Sequence, residues 1–331
     1  MAQQRLVAVS YPADDGITAA ISEVLAGQAK VRFLAGAGED EQRAALRRAE
    51  ALISLRLTQE VPAGALDQAP ALGLIQLLSA GLDTVDFAAI PEGMMVAGNV
   101  GAYAEPIAEH VMAMALSLAK HLPAERAALA RGEFNRDTVS ATLHGAVCGI
   151  LGFGGIGQAT ARLMRAFGAR IHAVNTSGTS REPADWIGTL DQLDELLAAA
   201  DVLVVTIPLT AATRGLIGAR ELGRMKPDAI LVNVARGAIV DERALYEHLR
   251  ANPGFSAAID TWWEEPRGRA AFRPHFPFLE LPNVIGSPHN SENVPGIMTH
   301  AARRAAENVG RFLRGEPVAG VARAADYAGL R

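Results

Sequence analysis

Short apolar runs of strand length alternate with longer Ala- and Leu-rich stretches along the chain. This alternation is typical of βαβ units, in which helices connect parallel strands. A first series of strands is predicted at residues 6–9, 31–34, 51–54, 74–77 and 96–97. A second series is predicted at residues 146–151, 170–174, 202–206, 230–233, 257–260 and 284–286. The pattern therefore predicts an α/β chain with two parallel sheets.

The chain is 331 residues long, which is enough for two domains of ordinary size. Asp14 is a predicted helix N-cap, and Gly27 is expected to end the helix that it starts. Between the two strand series, residues 105–122 predict one long helix rich in Ala, Met and Leu.

Composition excludes several classes of protein. The net charge is −5 and Lys and Arg form no run, so nucleic acid is not expected as a partner. No stretch of 18 uncharged apolar residues predicts a membrane span, and the first residues do not resemble a signal peptide. We therefore expect a cytoplasmic protein. The single cysteine, Cys148, lies in an apolar run and is interpreted as a buried strand residue.

A glycine-rich turn lies between the apolar run 147–151 and the helical pattern 158–167. It fits G-x-G-x-x-G with the residues Gly152, Phe153, Gly154, Gly155, Ile156 and Gly157. In a dinucleotide site the first glycine permits the tight turn, the second admits the pyrophosphate, and the third lets helix pack on strand. Phosphate then meets the positive end of the helix. An ordinary glycine-rich turn is the alternative, but the flanking strand and helix favour dinucleotide binding.

The strand predicted at 170–174 ends at Asn175, where NAD-selective sites usually carry Asp or Glu. An amide does not repel a 2′-phosphate, and Thr176, Ser177 and Arg181 could donate hydrogen bonds to one. The predicted cofactor is NADP or NAD, with NADP favoured. A polar turn that tolerates either cofactor is the alternative.

Further motifs follow one another in an order that resembles the D-isomer-specific 2-hydroxyacid dehydrogenase family. They are Ser79-Ala80-Gly81-Leu82-Asp83, Ala108-Glu109-His110, Ile207-Pro208-Leu209-Thr210, Asn233-Val234-Ala235-Arg236-Gly237, Asp260 with Glu265-Pro266, and Ser287-Pro288-His289. The resemblance covers nearly the whole chain. It implies two Rossmann-like domains with parallel sheets, the cofactor domain being inserted into a discontinuous substrate domain. Residues 1–98 and 293–331 are expected to form the substrate domain and residues 99–292 the dinucleotide-binding domain, with a cleft that closes on the ligands.

The resemblance also implies a catalytic set of Arg236, Glu265 and His289. Reduction of a 2-keto acid needs a carboxylate anchor, a proton donor and a hydride. Arg236 offers a fixed fork of donors, His289 can hold a proton near neutral pH, and Glu265 can orient and charge the imidazole. The predicted reaction is hydride transfer between a nicotinamide and a small 2-keto or D-2-hydroxy acid, such as glyoxylate or hydroxypyruvate. No metal is expected.

The same family pattern assigns the remaining binding residues. The expected substrate-binding residues are Ser79, Ala80, Gly81 and Arg236. The expected cofactor-binding residues beyond the glycine-rich turn are Asn175, Thr176, Ser177, Ile207, Pro208, Thr213, Val234, Ala235 and Asp260. A homodimer is expected through the helix that starts near Glu105 and the segment that runs to Thr142.

Other interpretations of these residues stay open. Arg236, Glu265 and His289 could each be an ordinary loop residue, and His110 is interpreted as a packed histidine of the apolar helix. Formate dehydrogenases share the fold but carry Gln at the position of Glu265, and phosphite dehydrogenases typically carry Lys at the position of Ala80. Corepressor relatives use the fold as a nucleotide-sensing module that binds proteins. The aromatic side chains around Trp262 and within residues 267–278 predict a pocket wall, with a surface loop as the alternative.

Overall fold

The computed structural model describes residues 5–266, 268 and 270–330. The chain divides into two compact units, Met1–Tyr103 with Val294–Arg331 and Ala104–Asn293. The assignment of a substrate role to one unit and a dinucleotide role to the other remains a prediction at this stage.

The elements alternate along the chain as the apolar pattern predicts. The strands are β1 Leu6–Val9, β2 Lys30–Phe33, β3 Ala51–Ser54, β4 Leu74–Leu77, β5 Met95–Ala97, β6 Val147–Leu151, β7 Arg170–Val174, β8 Trp186–Gly188, β9 Val202–Val205, β10 Ile230–Asn233, β11 Ser256–Ile259 and β12 Val284–Gly286. The helices are α1 Asp15–Leu25, α2 Glu39–Leu46, α3 Leu57–Glu60, α4 Ala104–Ala119, α5 Leu122–Ala130, α6 Gly155–Ala166, α7 Leu193–Ala199, α8 Ala219–Leu222, α9 Glu242–Ala251 and α10 Ile297–Leu313.

The first unit contains a five-stranded sheet in the order β2-β1-β3-β4-β5, and each pair of neighbours is parallel. Val7 and Val9 of β1 belong to the core beneath α1 and α10, whereas Leu6 and Ala8 belong to the core on the opposite face. The Asp14 carboxylate accepts from Ile17 N at 2.8 Å and so caps α1, as predicted.

The second unit contains a seven-stranded parallel sheet in the order β12-β11-β10-β9-β6-β7-β8. Strand β6 pairs with β7 on one side and β9 on the other, so the strand order reverses between β6 and β9. In open parallel sheets, ligands bind beyond the carboxyl ends of the strands at such a reversal. The α/β class with two parallel sheets is therefore confirmed, and this edge is where a ligand site is expected.

The prediction of one continuous helix over residues 105–122 is wrong, because two helices cover this stretch. Helix α4 ends at Ala119, His121 adopts a left-handed backbone with φ of 52°, and α5 starts at Leu122. Pro123 explains the break, because proline fits the first turn of a new helix but cannot continue an existing one.

Cys148 is 1% exposed in β6, and burial raises the pKa of its thiol to about 12. This environment confirms the structural interpretation, because a reactive thiol needs a lowered pKa. In the described part of the chain, no helix combines the length and apolar character needed to span a bilayer.

Candidate active site

The glycine-rich turn lies at the carboxyl end of β6 and runs into α6. Gly152 has φ of +103°, and a Cβ there would lie 2.8 Å from Ile207 N. A Cβ on Gly157 would lie 2.1 Å from Gly152 O, so the third glycine is required for α6 to pack against the turn. Gly154 is exposed, and a Cβ on it would meet no atom within 4 Å. This side of the turn is therefore open, as the predicted approach of a pyrophosphate to the glycine backbone requires.

The other residues of the turn hold it in place. Phe153 is 3% exposed, and its carbonyl accepts from Gln158 Nε2 at 3.0 Å. Gly155 begins α6, and Ile156 packs against the apolar cluster formed with α4. The first amides of a helix have no intrahelical acceptor, so this end of α6 is suited to an anion.

Asn175 follows β7 and organises the turn after it. Its Oδ1 accepts from Ser177 N at 3.0 Å and from Gly178 N at 2.7 Å, while its Nδ2 donates to Thr179 O at 2.8 Å. Thr176 and Ser177 are exposed on this turn. The Asn175 side chain is thus hydrogen-bonded to the backbone of the turn, a role that the sequence did not predict.

The segment after β9 carries Ile207, Pro208 and Thr213. Thr206 Oγ1 donates to Gly152 O at 2.6 Å, which ties this segment to the glycine-rich turn. Thr213 Oγ1 donates to Pro208 O at 2.7 Å and accepts from Thr210 N at 2.8 Å. Thr213 therefore stabilises the loop that begins at the strand-order reversal.

Arg236 follows β10 on a turn held by Asn233. Asn233 is 2% exposed, its Oδ1 accepts from Ala235 N at 3.1 Å, and its Nδ2 donates to Arg236 O at 3.0 Å. Val234 and Ala235 are buried between them. A Cβ on Gly237 would lie 2.4 Å from the Trp262 carbonyl carbon, so the glycine lets the Arg236 turn approach the segment that carries Glu265.

Glu265 and His289 contact each other directly. The distances from His289 Nδ1 to the two Glu265 oxygens are 2.9 and 2.8 Å, and Glu265 Oε1 also accepts from Trp262 N at 3.1 Å. His289 has a left-handed backbone with φ of 50°, and its N–H donates to Asp260 O at 2.9 Å. Since Nδ1 contacts the carboxylate, Nε2 is the nitrogen that can exchange a proton with a ligand.

This contact changes the pKa of both groups. The hydrogen bond to Glu265 raises the pKa of His289, although burial and the Arg236 charge oppose the rise. Burial raises the pKa of the Glu265 carboxyl, but the hydrogen bond and charge of His289 outweigh it, and the net pKa is lowered. The Arg236 charge therefore acts on both members of the pair, and the structure brings together all three residues of the predicted catalytic set.

Asp260 lies at the end of β11 with its side chain 0% exposed. Its Oδ1 accepts from Ser287 Oγ at 2.5 Å, and Ser287 Oγ is 2.9 Å from His110 Nε2. From the sequence, Ser287 was given no role and His110 was interpreted as a packing residue. The series of hydrogen bonds from His110 through Ser287 to Asp260 was therefore not predicted. The position of Ser287 directly after β12, at the same sheet edge, was the available signal.

Trp262 links the same segments, since its Nε1 donates to Ser287 O at 2.9 Å. Its ring lies 4.7 Å from that of Phe272, and the Trp263 ring stacks on Phe278 at 5.3 Å. These aromatic side chains therefore pack together, and their role as a pocket wall stays a prediction. Arg267 and Arg269 of the same stretch lie outside the described residues. Among the described residues, no group of three or more His, Cys, Asp or Glu side chains is arranged to hold a metal ion.

Ser79, Ala80 and Gly81 belong to the first unit and follow β4. Ser79 Oγ donates to Gly81 O at 3.0 Å, and Ser79 O accepts from Asn99 N at 2.9 Å. A Cβ on Gly98 would lie 2.5 Å from Ala80 O. The turn is thus closely held at the carboxyl edge of its own sheet.

The second unit matches a known domain. The NAD binding domain of the D-isomer specific 2-hydroxyacid dehydrogenases matches residues 112–291, which is more than half of the chain. The chain belongs to the D-isomer-specific 2-hydroxyacid dehydrogenase family, and the predicted resemblance is confirmed.

Individual relatives agree with this assignment. A D-3-phosphoglycerate dehydrogenase of Methanocaldococcus jannaschii is 32% identical over 298 residues, which cover 89% of this chain and 55% of that protein. The chain therefore spans about half the length of the D-3-phosphoglycerate dehydrogenases that it matches. A glyoxylate reductase of Aeropyrum pernix is 35% identical over 280 residues, covering 82% of each chain.

A solved structure resembles the whole chain. The D-isomer specific 2-hydroxyacid dehydrogenase from Xanthobacter autotrophicus Py2, in complex with NADPH and MES, has a TM-score of 0.75 and 26% identity. The similarity covers 97% of this chain and 98% of that chain.

Proposed function

We propose that this protein is an NAD(P)-dependent oxidoreductase that transfers hydride between a nicotinamide and a small 2-keto or D-2-hydroxy acid. The observation that carries the proposal is the His289–Glu265 contact beside Arg236, at the sheet edge that also holds the glycine-rich turn. It supplies a proton donor and an anion-binding group next to a nucleotide-binding element.

The residues of the second unit fit the cofactor. The open space at Gly154 and the start of α6 would take the pyrophosphate, and Ile207 lies against Gly152 of the same turn. Asp260 has a buried oxygen, Oδ2, with no hydrogen-bond partner among the described residues, and this atom would accept from the nicotinamide carboxamide. When bound, the nicotinamide supplies or accepts the hydride.

His289 is proposed as the acid in the direction of keto acid reduction. Its raised pKa favours the form in which Nε2 carries a proton, and Glu265 stabilises the imidazolium until the proton leaves. In the opposite direction the neutral imidazole takes the hydroxyl proton of the hydroxy acid.

Arg236 is proposed as the anchor for the substrate carboxylate. Its turn is fixed by Asn233, so the guanidinium starts from a defined backbone position. Ser79, Ala80 and Gly81 of the first unit stay proposed as substrate-binding residues. One such anchor suits a small acid of the glyoxylate or hydroxypyruvate type.

NADP is the proposed preference, with NAD as the second cofactor. No carboxylate stands at Asn175, and Thr176 and Ser177 are exposed on its turn. Within the described chain, Arg181 is exposed and makes no ion pair, so its charge is available to a 2′-phosphate. The similar Xanthobacter protein binds NADPH, which supports this preference.

A second copy of the chain is the proposed partner of the segment after α4. Helix α5 has no buried residue. Four apolar side chains of this segment are exposed, namely Leu122, Leu129, Phe134 and Val139. Light scattering should give a dimer for the native protein and a monomer for the double variant Phe134→Ser, Val139→Ser. A monomeric native protein would contradict the proposal.

The direct test is oxidation of NADPH and NADH with a panel of 2-keto acids, with formate and phosphite tested in the oxidative direction. We expect turnover of at least one small 2-keto acid. Nucleotide binding with no turnover of any substrate would favour a sensing module, and turnover of formate or phosphite alone would refute the substrate class.

A further inference from the structure

Asp260 carries a buried carboxylate whose two oxygens have different surroundings. Oδ1 accepts from Ser287 Oγ at 2.5 Å and from Asn290 N at 3.2 Å. Within the described part of the chain, Oδ2 is buried and makes no hydrogen bond. Because an unpaired buried acceptor costs free energy, Oδ2 is suited to a ligand that brings an N–H donor.

The direction of the hydrogen bonds at Ser287 follows from its single hydroxyl proton. A carboxylate only accepts, so the Ser287 proton points to Asp260 Oδ1. Ser287 Oγ must then accept from His110 Nε2, at 2.9 Å. A proton of His110 therefore lies on Nε2, and the hydrogen bonds run from His110 through Ser287 to Asp260.

Three elements of the second unit position the hydrogen-bonded residues His110, Ser287 and Asp260. His110 lies on α4, which packs against the sheet at β10, β11 and β12. Asp260 follows β11, and Ser287 follows β12 with its carbonyl held by Trp262 Nε1. His110 Nε2 is also 3.8 Å from Asp260 Oδ1, so the imidazole lies close to the buried carboxylate as well as to Ser287.

We infer that His110 and Ser287 are positioning residues for the Asp260 carboxylate, which they hold so that Oδ2 receives the carboxamide of the nicotinamide. The inference rests on the proposed function and names two residues of the same site. No direct contact with the cofactor is assigned to either residue. Both act through Asp260, whose backbone carbonyl also accepts from His289 N at 2.9 Å.

A purely structural tie between α4 and the sheet is the competing explanation, and the choice of ligand separates the two. A positioning role affects only nucleotides that carry the nicotinamide. Loss of a structural tie would disturb the glycine-rich turn as well, because α4 packs against α6. The fragment 2′-phospho-ADP-ribose, or ADP-ribose for an NAD-selective protein, lacks the nicotinamide. It therefore reports on the glycine-rich turn and the turn after β7, and not on the proposed carboxamide contact.

The experiment measures dissociation constants of NADPH and of 2′-phospho-ADP-ribose by fluorescence titration and calorimetry, with NADH and ADP-ribose run in parallel. Three variants are compared. Ser287→Ala removes the hydroxyl that joins His110 to Asp260, His110→Phe removes the imidazole that donates to Ser287, and Ser287→Thr keeps a hydroxyl at this position. Glu109→Gln is the matched control, because Glu109 is exposed on the same helix.

We expect Ser287→Ala and His110→Phe to weaken NADPH binding about tenfold, the effect of one hydrogen bond to a charged group. Binding of the fragment should stay at the native value in both. Ser287→Thr and Glu109→Gln should bind both nucleotides like the native protein.

Equal losses for NADPH and for the fragment would overturn the inference, as would native NADPH affinity in both Ser287→Ala and His110→Phe. A native protein that binds neither nucleotide would overturn the proposed function itself. The two failures are therefore distinguishable from the native protein alone.

Discussion

The Glu265 carboxylate faces His289 Nδ1 with both of its oxygens, at 2.9 and 2.8 Å. This contact is the largest cause that raises the pKa of His289. A protonated His289 is the form that donates in keto acid reduction, so kcat/KM for reduction should be high below the raised pKa and fall as pH rises through it.

Glu265→Gln tests this relationship. The variant keeps a hydrogen-bonding group but loses the charge, so the pKa of His289 should fall toward its ordinary value of about 6.5. The pH at which kcat/KM for reduction declines should therefore move to lower pH. A pH profile that stays in place while activity falls would show that Glu265 does not set the proton affinity of His289.

Two glycines of the dinucleotide turn should respond differently to the same added methyl group. Gly157→Ala places its Cβ 2.1 Å from Gly152 O, and such overpacking should destabilise the fold by about 1–3 kcal/mol. Gly154→Ala meets no protein atom within 4 Å, so the melting temperature should stay at the native value while nucleotide affinity drops. Thermal unfolding and nucleotide titration of the two variants check this. Unchanged nucleotide affinity in Gly154→Ala would place the pyrophosphate elsewhere.

Asn175→Asp should change the cofactor choice. The carboxylate can still accept from Ser177 N and Gly178 N, while the bond that Asn175 Nδ2 donates to Thr179 O is lost and a negative charge is added. The ratio of kcat/KM for NADPH to kcat/KM for NADH should fall roughly tenfold or more, since one charged hydrogen bond to a 2′-phosphate is lost and repulsion is gained. Gln59→Glu, an exposed change of the same charge in the first unit, is the control. A strong NADH preference that does not respond to Asn175→Asp would refute the proposed role of this turn.

Apart from β8, the strands of both sheets were predictable because they are short apolar runs bounded by turn residues. The Gly152–Gly157 turn was predictable because one chemistry, close approach to a phosphate, requires glycine at fixed spacing. Strand β8 was not predicted, because Trp186–Gly188 is a three-residue edge strand without a distinct pattern. The break between α4 and α5 was also missed, since the apolar periodicity continues across His121 and only Pro123 marks the new helix.

Residues of the candidate site could be predicted from the sequence only where a single motif corresponds to a single role. Arg236, Glu265 and His289 each follow a strand end, so sequence order alone locates them at one edge. The His110–Ser287–Asp260 chain depends on how α4 lies across β11 and β12, which no local pattern encodes. The side chain of Asn175 likewise accepts a hydrogen bond from the backbone of its own turn. The residue type alone does not predict this hydrogen bond.

His289 is proposed to donate the proton to a 2-keto acid while the nucleotide is held elsewhere in the same unit. This role is tested by stopped-flow oxidation of bound NADPH by the best keto acid, compared between the native protein and His289→Ala. His300→Ala, which removes an exposed histidine of the first unit, is the control and should react like the native protein. The His289→Ala rate should fall about a hundred- to ten-thousand-fold with the dissociation constant of NADPH nearly unchanged. A His289→Ala variant that oxidises NADPH at the native rate would contradict the account.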